Sequence, residues 1–331
     1  MLSFDPNSLI PAIVALIIGL IILVWSADRF VLGAAATARI MGISPLVIGL
    51  TIVSLGTSAP EIFVSIMAAF DSSGGLAVGN AIGSNIANIG LVLGVTALVA
   101  AIPIQKKLIK KEIPLLLLVT IIAGLVLADL TLDFVDAIIL AITLIVAIYL
   151  LFQQTSSAGE AVIDEDDQAE IDSMPAKSAI FWLIVGLSAL VISSKMLVWG
   201  ATEIAHFYEI SDLIIGLTIV AIGTSLPELA ASVTSALRGH HDIAIGNIIG
   251  SNIFNLLAVL PIPGLIAPLV IDSVVMTRDY AMMLGLTISL IVIIALSYRR
   301  GVIPRFTGIL LLAAYAAYMG LLYVQSQPLS V

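Results

Sequence analysis

The feature that most constrains this chain is a polar, acidic, proline-broken tract that occurs twice inside long apolar runs. GTSAPE at 56–61 returns as GTSLPE at 223–228, and the string GN-I-GSNI-N at 79–88 returns at 246–255. One displacement of 167 positions superimposes both pairs. The same shift carries Gly33 and Ala34 onto Gly200 and Ala201, and Lys111 and Glu112 onto Arg278 and Asp279, so the repeat extends beyond the motifs. A carboxylate in hydrocarbon is costly, so packing alone does not account for two such tracts. They read as two halves of one ion site.

Composition fixes the solvent. Hydrophobic residues make up 60% of the chain and charged ones 11%, with mean hydropathy +1.20, far from a soluble domain of this length. The net charge of -9 misleads as a guide to partners, because seven of the 22 acids fall within 160–172. The expected surroundings are a lipid bilayer, with no nucleic-acid partner. The absence of cysteine excludes disulfides and thiolate metal sites. The first apolar run has no basic region before it and outlasts a signal peptide, so it reads as a retained span.

Runs long enough to cross the hydrocarbon core, roughly 17 to 25 residues, number ten. They cover approximately 9–34, 45–70, 76–102, 113–128 and 134–152, then 179–205, 213–237, 243–266, 280–297 and 306–324. The expected fold is an all-α polytopic membrane protein with ten transmembrane helices as two inverted five-helix repeats. The first repeat takes residues 1–153, an acidic linker 154–178, and the second repeat 179–331. Five is odd, so the second unit enters from the opposite side, which favours transport through a midplane site.

Lysine and arginine positions set the orientation. With both termini outside, Arg39, Lys106, Lys107, Lys110, Lys111, Lys177, Arg238, Arg299, Arg300 and Arg305 fall on the cytoplasmic side together with the linker, and Arg278 falls outside. The localisation expected is the cell (inner) membrane. Arg29 and Lys195 lie near span ends and are expected to snorkel. Asp28 and Glu203 are expected to snorkel or pair near the boundaries, and His206, His240 and His241 to face solvent in short loops. The linker reads as a solvated connector, without the spacing or glycine of an EF-hand loop.

On a helix, Thr57 and Ser58 share a face with Glu61, and Thr224 and Ser225 share one with Glu228. Pro60 and Pro227 lack an amide hydrogen and free carbonyls of the preceding turn, at Gly56 or Thr57 and at Gly223 or Thr224. Free carbonyls at membrane depth require protein or water beside them. In the third span of each half, Asn80, Ser84 and Asn88, and likewise Asn247, Ser251 and Asn255, recur at intervals of four and present neutral donors. Such an all-oxygen cage suits calcium or sodium, whereas zinc and copper favour nitrogen or sulfur. Magnesium, which dehydrates reluctantly, fits less well. The alternative for Asn88 and Asn255 is hydrogen bonding between helices. Gly79 with Gly83, and Gly246 with Gly250, read as small-xxx-small pairs for close backbone packing.

At these residues the chain resembles the calcium/cation antiporter superfamily, and within it the prokaryotic sodium/calcium exchangers. The resemblance implies Glu61 and Glu228 as central calcium ligands, helped by backbone oxygens of Thr57 and Thr224. It implies sodium sites at Ser58, Ser84, Ser225 and Ser251, with backbone carbonyls near Ser54 and Ala221. It also implies that the first span of each half slides against the other eight. Where several relatives carry an aspartate in the second repeat this chain has Asn255, matching Asn88, which argues against potassium dependence.

The expected function is secondary antiport of calcium for sodium by alternating access, the two cargoes competing to neutralise one carboxylate pair. Protons are credible competitors or the coupling ion itself. A proton/calcium antiporter on the same scaffold and a passive cation channel are the alternatives. No catalytic residue and no resident cofactor is expected; the ions are cargo.

Overall fold

The computed structural model describes residues 9–70, 74–104, 108–152, 169–171, 173–208 and 221–326. The first half opens with α1 (Leu9–Met41). Ser44 then caps α2 (Pro45–Ile48), its hydroxyl accepting from the Val47 amide at 3.3 Å with proline at the first helical position. The helix continues through a π turn, Gly49–Val53, into α3 (Ser54–Thr57) and, after a break, α4 (Ala59–Phe70). Next come α5 (Gly74–Ala87), a π turn Asn88–Leu93 and α6 (Gly94–Val99) as one continuous rod. Strand β1 (Ile102–Pro103), a π turn Leu108–Glu112, α7 (Ile113–Val126), β2 (Thr131–Leu132) and α8 (Phe134–Phe152) complete it.

The second half repeats this order. It runs through α9 (Ala176–Phe207), α10 (Ala221–Thr224), α11 (Leu226–Leu237) and α12 (His241–Phe254), which continues as a π turn, Asn255–Val259. Then follow α13 (Ile262–Ile266), β3 (Leu269–Val270), a π turn Val275–Tyr280, α14 (Ala281–Ser297), β4 (Val302–Ile303) and α15 (Arg305–Ser326). Helix lies under all ten expected spans, but not as ten uninterrupted rods. Among the described residues seven helical stretches are long and apolar enough to cross a membrane unbroken, and the second span is a pair bent by 43°. In the fourth, α7 has 14 residues, short of the roughly 20 needed unless its π turn is counted. Residues 213–220 of the seventh, and 154–168 of the linker, lie outside the described residues.

The packing is that of a membrane protein, with the polar helices inside. Every residue of α12 except His241 is buried, and α5 buries most of one flank. The perimeter helices α1, α8 and α9 turn large apolar side chains outward, among them Ile17, Ile21, Ile142, Ile145 and Ile184. Hydrocarbon solvates these as well as a core would, so they impose no penalty there.

Contacts between α1 and α9 run in opposite numerical order. A Cβ on Gly19 would meet Leu197 and one on Gly33 would meet Leu183, while Gly200 lies against Ala12 and Leu16. The first helices of the two halves are therefore antiparallel. Two short antiparallel pairings join loops of different halves: Ile102 pairs with Ile303 and Pro103 with Val302, and Thr131 pairs with Val270 and Leu132 with Leu269. In the ten-span reading the first two loops share the linker side and the second two share the other.

Candidate cation site

Both acidic tracts break their helices at the same point. Ser58 leaves helical geometry at φ -80° and ψ 6°, and Ser225 does so at φ -87° and ψ 2°. Proline two residues on, at Pro60 and Pro227, removes the amide that would continue the ladder. Each break puts a glutamate in the first turn of the following helix, Glu61 in α4 and Glu228 in α11. Both carboxylates are inside the protein, with each residue 1% exposed.

The halves cross-link around them. Ser58 Oγ donates to Glu228 Oε1 at 3.1 Å, bringing the first break against the second acid. Ser84 Oγ lies 3.5 Å from Glu61 Oε1, and Thr224 is within hydrogen-bonding reach of Glu61. Thr57 Oγ1 donates to Asn247 Oδ1 at 3.1 Å. Asn85 Nδ2 donates to the Asn252 carbonyl at 3.2 Å, joining α5 to α12 through residues that are repeat mates. The face shared by Thr57, Ser58 and Glu61 is thus turned to the second half.

Two buttresses hold the glutamate backbones in place, and they are repeat images. Asn80 Nδ2 donates to the Glu61 carbonyl at 3.1 Å and to Ser65 Oγ at 3.2 Å. Asn247 Nδ2 donates to the Glu228 carbonyl at 3.3 Å and to Ser232 Oγ at 2.9 Å. Ser65 and Ser232 were missed by the sequence reading. The signal was there: each sits four residues after its glutamate, on the same helix face.

What remains is a set of buried polar atoms with no partner among the described residues. It includes Glu61 Oε2, Glu228 Oε2, Ser225 Oγ, Ser251 Oγ, Asn85 Oδ1 and both side-chain polar atoms of Asn88 and Asn255. Leaving such atoms unpaired in a dry interior costs about 1 to 3 kcal/mol each. A cation lacking its water would satisfy the oxygens together. Among the described residues no three His, Cys, Asp or Glu cluster, so the donor set is two carboxylates with neutral oxygens. That chemistry fits calcium or sodium and disfavours zinc and copper.

The remaining expected site residues are placed as follows. Ser54 is buried; its hydroxyl donates to the Thr51 carbonyl at 3.2 Å, and its own carbonyl accepts from the Ser58 amide at 3.0 Å. Ala221 begins α10. Asn88 and Asn255 each open a π turn, a geometry frequent at functional sites. The Gly223 carbonyl, expected to be freed by Pro227, accepts from Ser194 Oγ at 2.7 Å.

Gly246 packs as foreseen, since a Cβ there would lie 2.7 Å from the Leu46 carbonyl oxygen. Among the described residues a Cβ on Gly79 or Gly83 would meet nothing within 4 Å, and both glycines line a cavity; positions 213–217, the repeat images of 46–50, lie outside the described residues. One expectation needs correction. His240 is buried, not solvent-facing, because it starts the helix at the centre of the fold. The side chain of His206 lies outside the described residues.

A helical membrane fold with a paired-carboxylate site at crossed helix breaks defines the class of cation exchangers. Comparison with known proteins agrees. The profile of the sodium/calcium exchanger protein family matches residues 11–153 and 178–324, one segment per half. CaxA of Alkalimonas amylolytica is 46% identical over 94% of this chain and 98% of its own length. Inner membrane protein YrbG of Escherichia coli (strain K12) is 42% identical over 93% of this chain and 95% of its own. The structure of the sodium-calcium exchanger NCX_Mj soaked with Na+ and Sr2+ superimposes with TM-score 0.81 at 34% identity, covering 94% of this chain and 98% of that one. The chain belongs to the sodium/calcium exchanger family and is a multi-pass membrane cation/calcium antiporter.

Proposed function

We propose that this antiporter exchanges calcium for sodium by alternating access at a midplane site centred on Glu61 and Glu228. Calcium bridges the two carboxylates with help from backbone oxygens near Thr57 and Thr224. Sodium ions take Ser58, Ser84, Ser225 and Ser251, with Asn88, Asn255 and carbonyls near Ser54 and Ala221 completing the oxygen set. The two loadings neutralise the same pair of acids, so they exclude one another. The observation that carries this reading is the Ser58 to Glu228 hydrogen bond, which ties repeat-related breaks into one buried cluster whose second carboxylate oxygens are unpartnered.

The scaffold proposed is ten spans in two inverted repeats, 1–153 and 179–331, joined by a cytoplasmic linker at 154–178, with both termini outside. Antiparallel packing of α1 on α9 supports the inversion. So do the two loop pairings, each joining loops that this topology puts on one side. The cell (inner) membrane is the proposed location, in keeping with the name of the Escherichia coli relative.

The test is calcium uptake into sealed liposomes under an imposed sodium gradient, an imposed proton gradient, or neither. Sodium-driven accumulation is the expected result. Accumulation only under the pH gradient would assign proton coupling to the same carboxylates. Dissipation of a calcium gradient without a counter-ion would make the protein a channel.

A further inference from the structure

Two adjoining hollows of about 290 and 540 Å3 share Val64, Leu76 and Thr224, and the first also borders Ser84, so both come up to the candidate site. Gly79 and Gly83 wall the first; Ser194 and Lys195 wall the second. If the repeats exchange roles, the wall on the opposite side is found by moving these positions through the repeat displacement. Val64 maps to Ala231, Leu76 to Ile243, Ser194 to Ala27 and Lys195 to Asp28. In this structure Ala27, Ala231 and Ile243 are each 0% exposed and share one apolar cluster. The image of the cavity is a closed seam between α1, α11 and α12.

One ion pair crosses that seam. Arg238, just past the end of α11, donates from Nε to Asp28 Oδ1 on α1 at 2.6 Å, and its Nη2 contacts the same oxygen. Asp28 also lies 3.9 Å from Arg29 Nε. Arg29 Nη1 in turn donates to Glu170 Oε1 at 3.4 Å, at the end of the linker, and its guanidinium sits 5.4 Å from the Trp182 ring. Charges of alternating sign thus run from the linker through α1 to the end of α11. Lys195, which holds the repeat position of Asp28, is exposed in the wall of the open cavity.

We propose that Asp28 and Arg238 form a side-specific latch that holds α1 against α11 and keeps the linker side of the cation site shut. The proposal rests on the alternating-access reading above. Both side chains keep some contact with water, at 31% and 20% exposure. A partly hydrated pair is weak enough to break once per cycle. Opening the linker side must separate α1 from α11, and with it this pair. They are positioning residues, acting on which side opens and not on the ions.

The chain has no cysteine, so Ala231→Cys gives a single reporter on the seam. The full-length protein in liposomes is labelled with a membrane-impermeant methanethiosulfonate from the linker side, with sodium or calcium varied. Asp28→Asn and Arg238→Gln should each speed labelling about tenfold. The charge-exchanged double variant, Asp28→Arg with Arg238→Asp, should return it to the slow rate. Because the single variants remove opposite partners, a folding defect in one leaves the other to decide. Parent-rate labelling in both, in a protein whose labelling still responds to ions, overturns the latch and leaves alternating access standing. Labelling indifferent to ions in every variant removes alternating access and the latch together.

Discussion

The third helix of each half carries the same glycines in the same register, and among the described residues their surroundings differ. On α12, a Cβ on Gly246 would meet the Leu46 carbonyl, and one on Gly250 would lie 2.5 Å from the Leu50 carbonyl oxygen and against Ser54 Oγ, so the backbone of the second span fits where no side chain could. On α5, Gly79 and Gly83 face a cavity. Equivalent sequence therefore does not mean equivalent surroundings. A chain with internal two-fold symmetry has been folded into an asymmetric state, and the asymmetry is what an exchanger needs. On the alternating-access proposal, the closed wall of one half is what the open wall of the other would become.

At the proposed cation site the halves are matched, and this sets the largest effect. Glu61 and Glu228 have the same burial, the same asparagine buttress and one unpartnered oxygen each. Glu61→Gln and Glu228→Gln should each reduce sodium-dependent calcium uptake at least ~100-fold. Removing one member of a buried charge set costs about 3 kcal/mol or more, and each 1.4 kcal/mol is a factor of ten. Flux assays on purified protein, normalised to the amount reconstituted, measure this. If one variant retained uptake while the other lost it, the two halves would not contribute as a pair.

The paired acids were legible in the sequence because membrane insertion makes every carboxylate conspicuous, and the tandem prolines marked the helix breaks beside them. The approximate extent of the spans was legible for the same reason: hydrocarbon demands length. Three things were not. The π turns beginning at Asn88 and Asn255 insert a single extra residue per turn, which shifts no compositional signal. The packed and open roles of the two glycine pairs were hidden because small-xxx-small marks where a neighbour can approach, not whether it has. Burial of His240 was missed since a polar residue beside Gly239 reads as loop, although it caps the most buried helix in the molecule.

Glycine replacements sharpen the contrast between the halves. Gly250→Ala pushes a methyl group into the Leu50 carbonyl and Ser54, an overpacking that costs about 1 to 3 kcal/mol. Its unfolding midpoint in detergent should drop by several degrees. Gly83→Ala finds nothing within 4 Å among the described residues and should keep the parent midpoint. Its methyl group becomes an obstacle only when that wall closes, so exchange should slow several-fold while calcium binding at equilibrium is retained. Equal midpoints for the two variants would mean that the packing difference does not govern stability.

The smallest effect separates the two serines at the helix breaks. Ser58 Oγ is committed to Glu228 Oε1, whereas its repeat mate Ser225 Oγ is buried with no partner among the described residues. Ser58→Ala removes an existing hydrogen bond, worth about 1 kcal/mol net, and should raise the calcium concentration for half-maximal uptake roughly fivefold. Ser225→Ala removes no bond within the protein and should leave that concentration within about twofold. It should instead raise the sodium needed to drive uptake, because a free buried hydroxyl is a donor waiting for a small cation. Titrating each ion at a fixed concentration of the other distinguishes the cases. Were Ser58→Ala and Ser225→Ala to shift calcium and sodium dependence by the same factors, the cation site would be symmetric even where its hydrogen bonds are not, and the asymmetry would belong to the access walls alone.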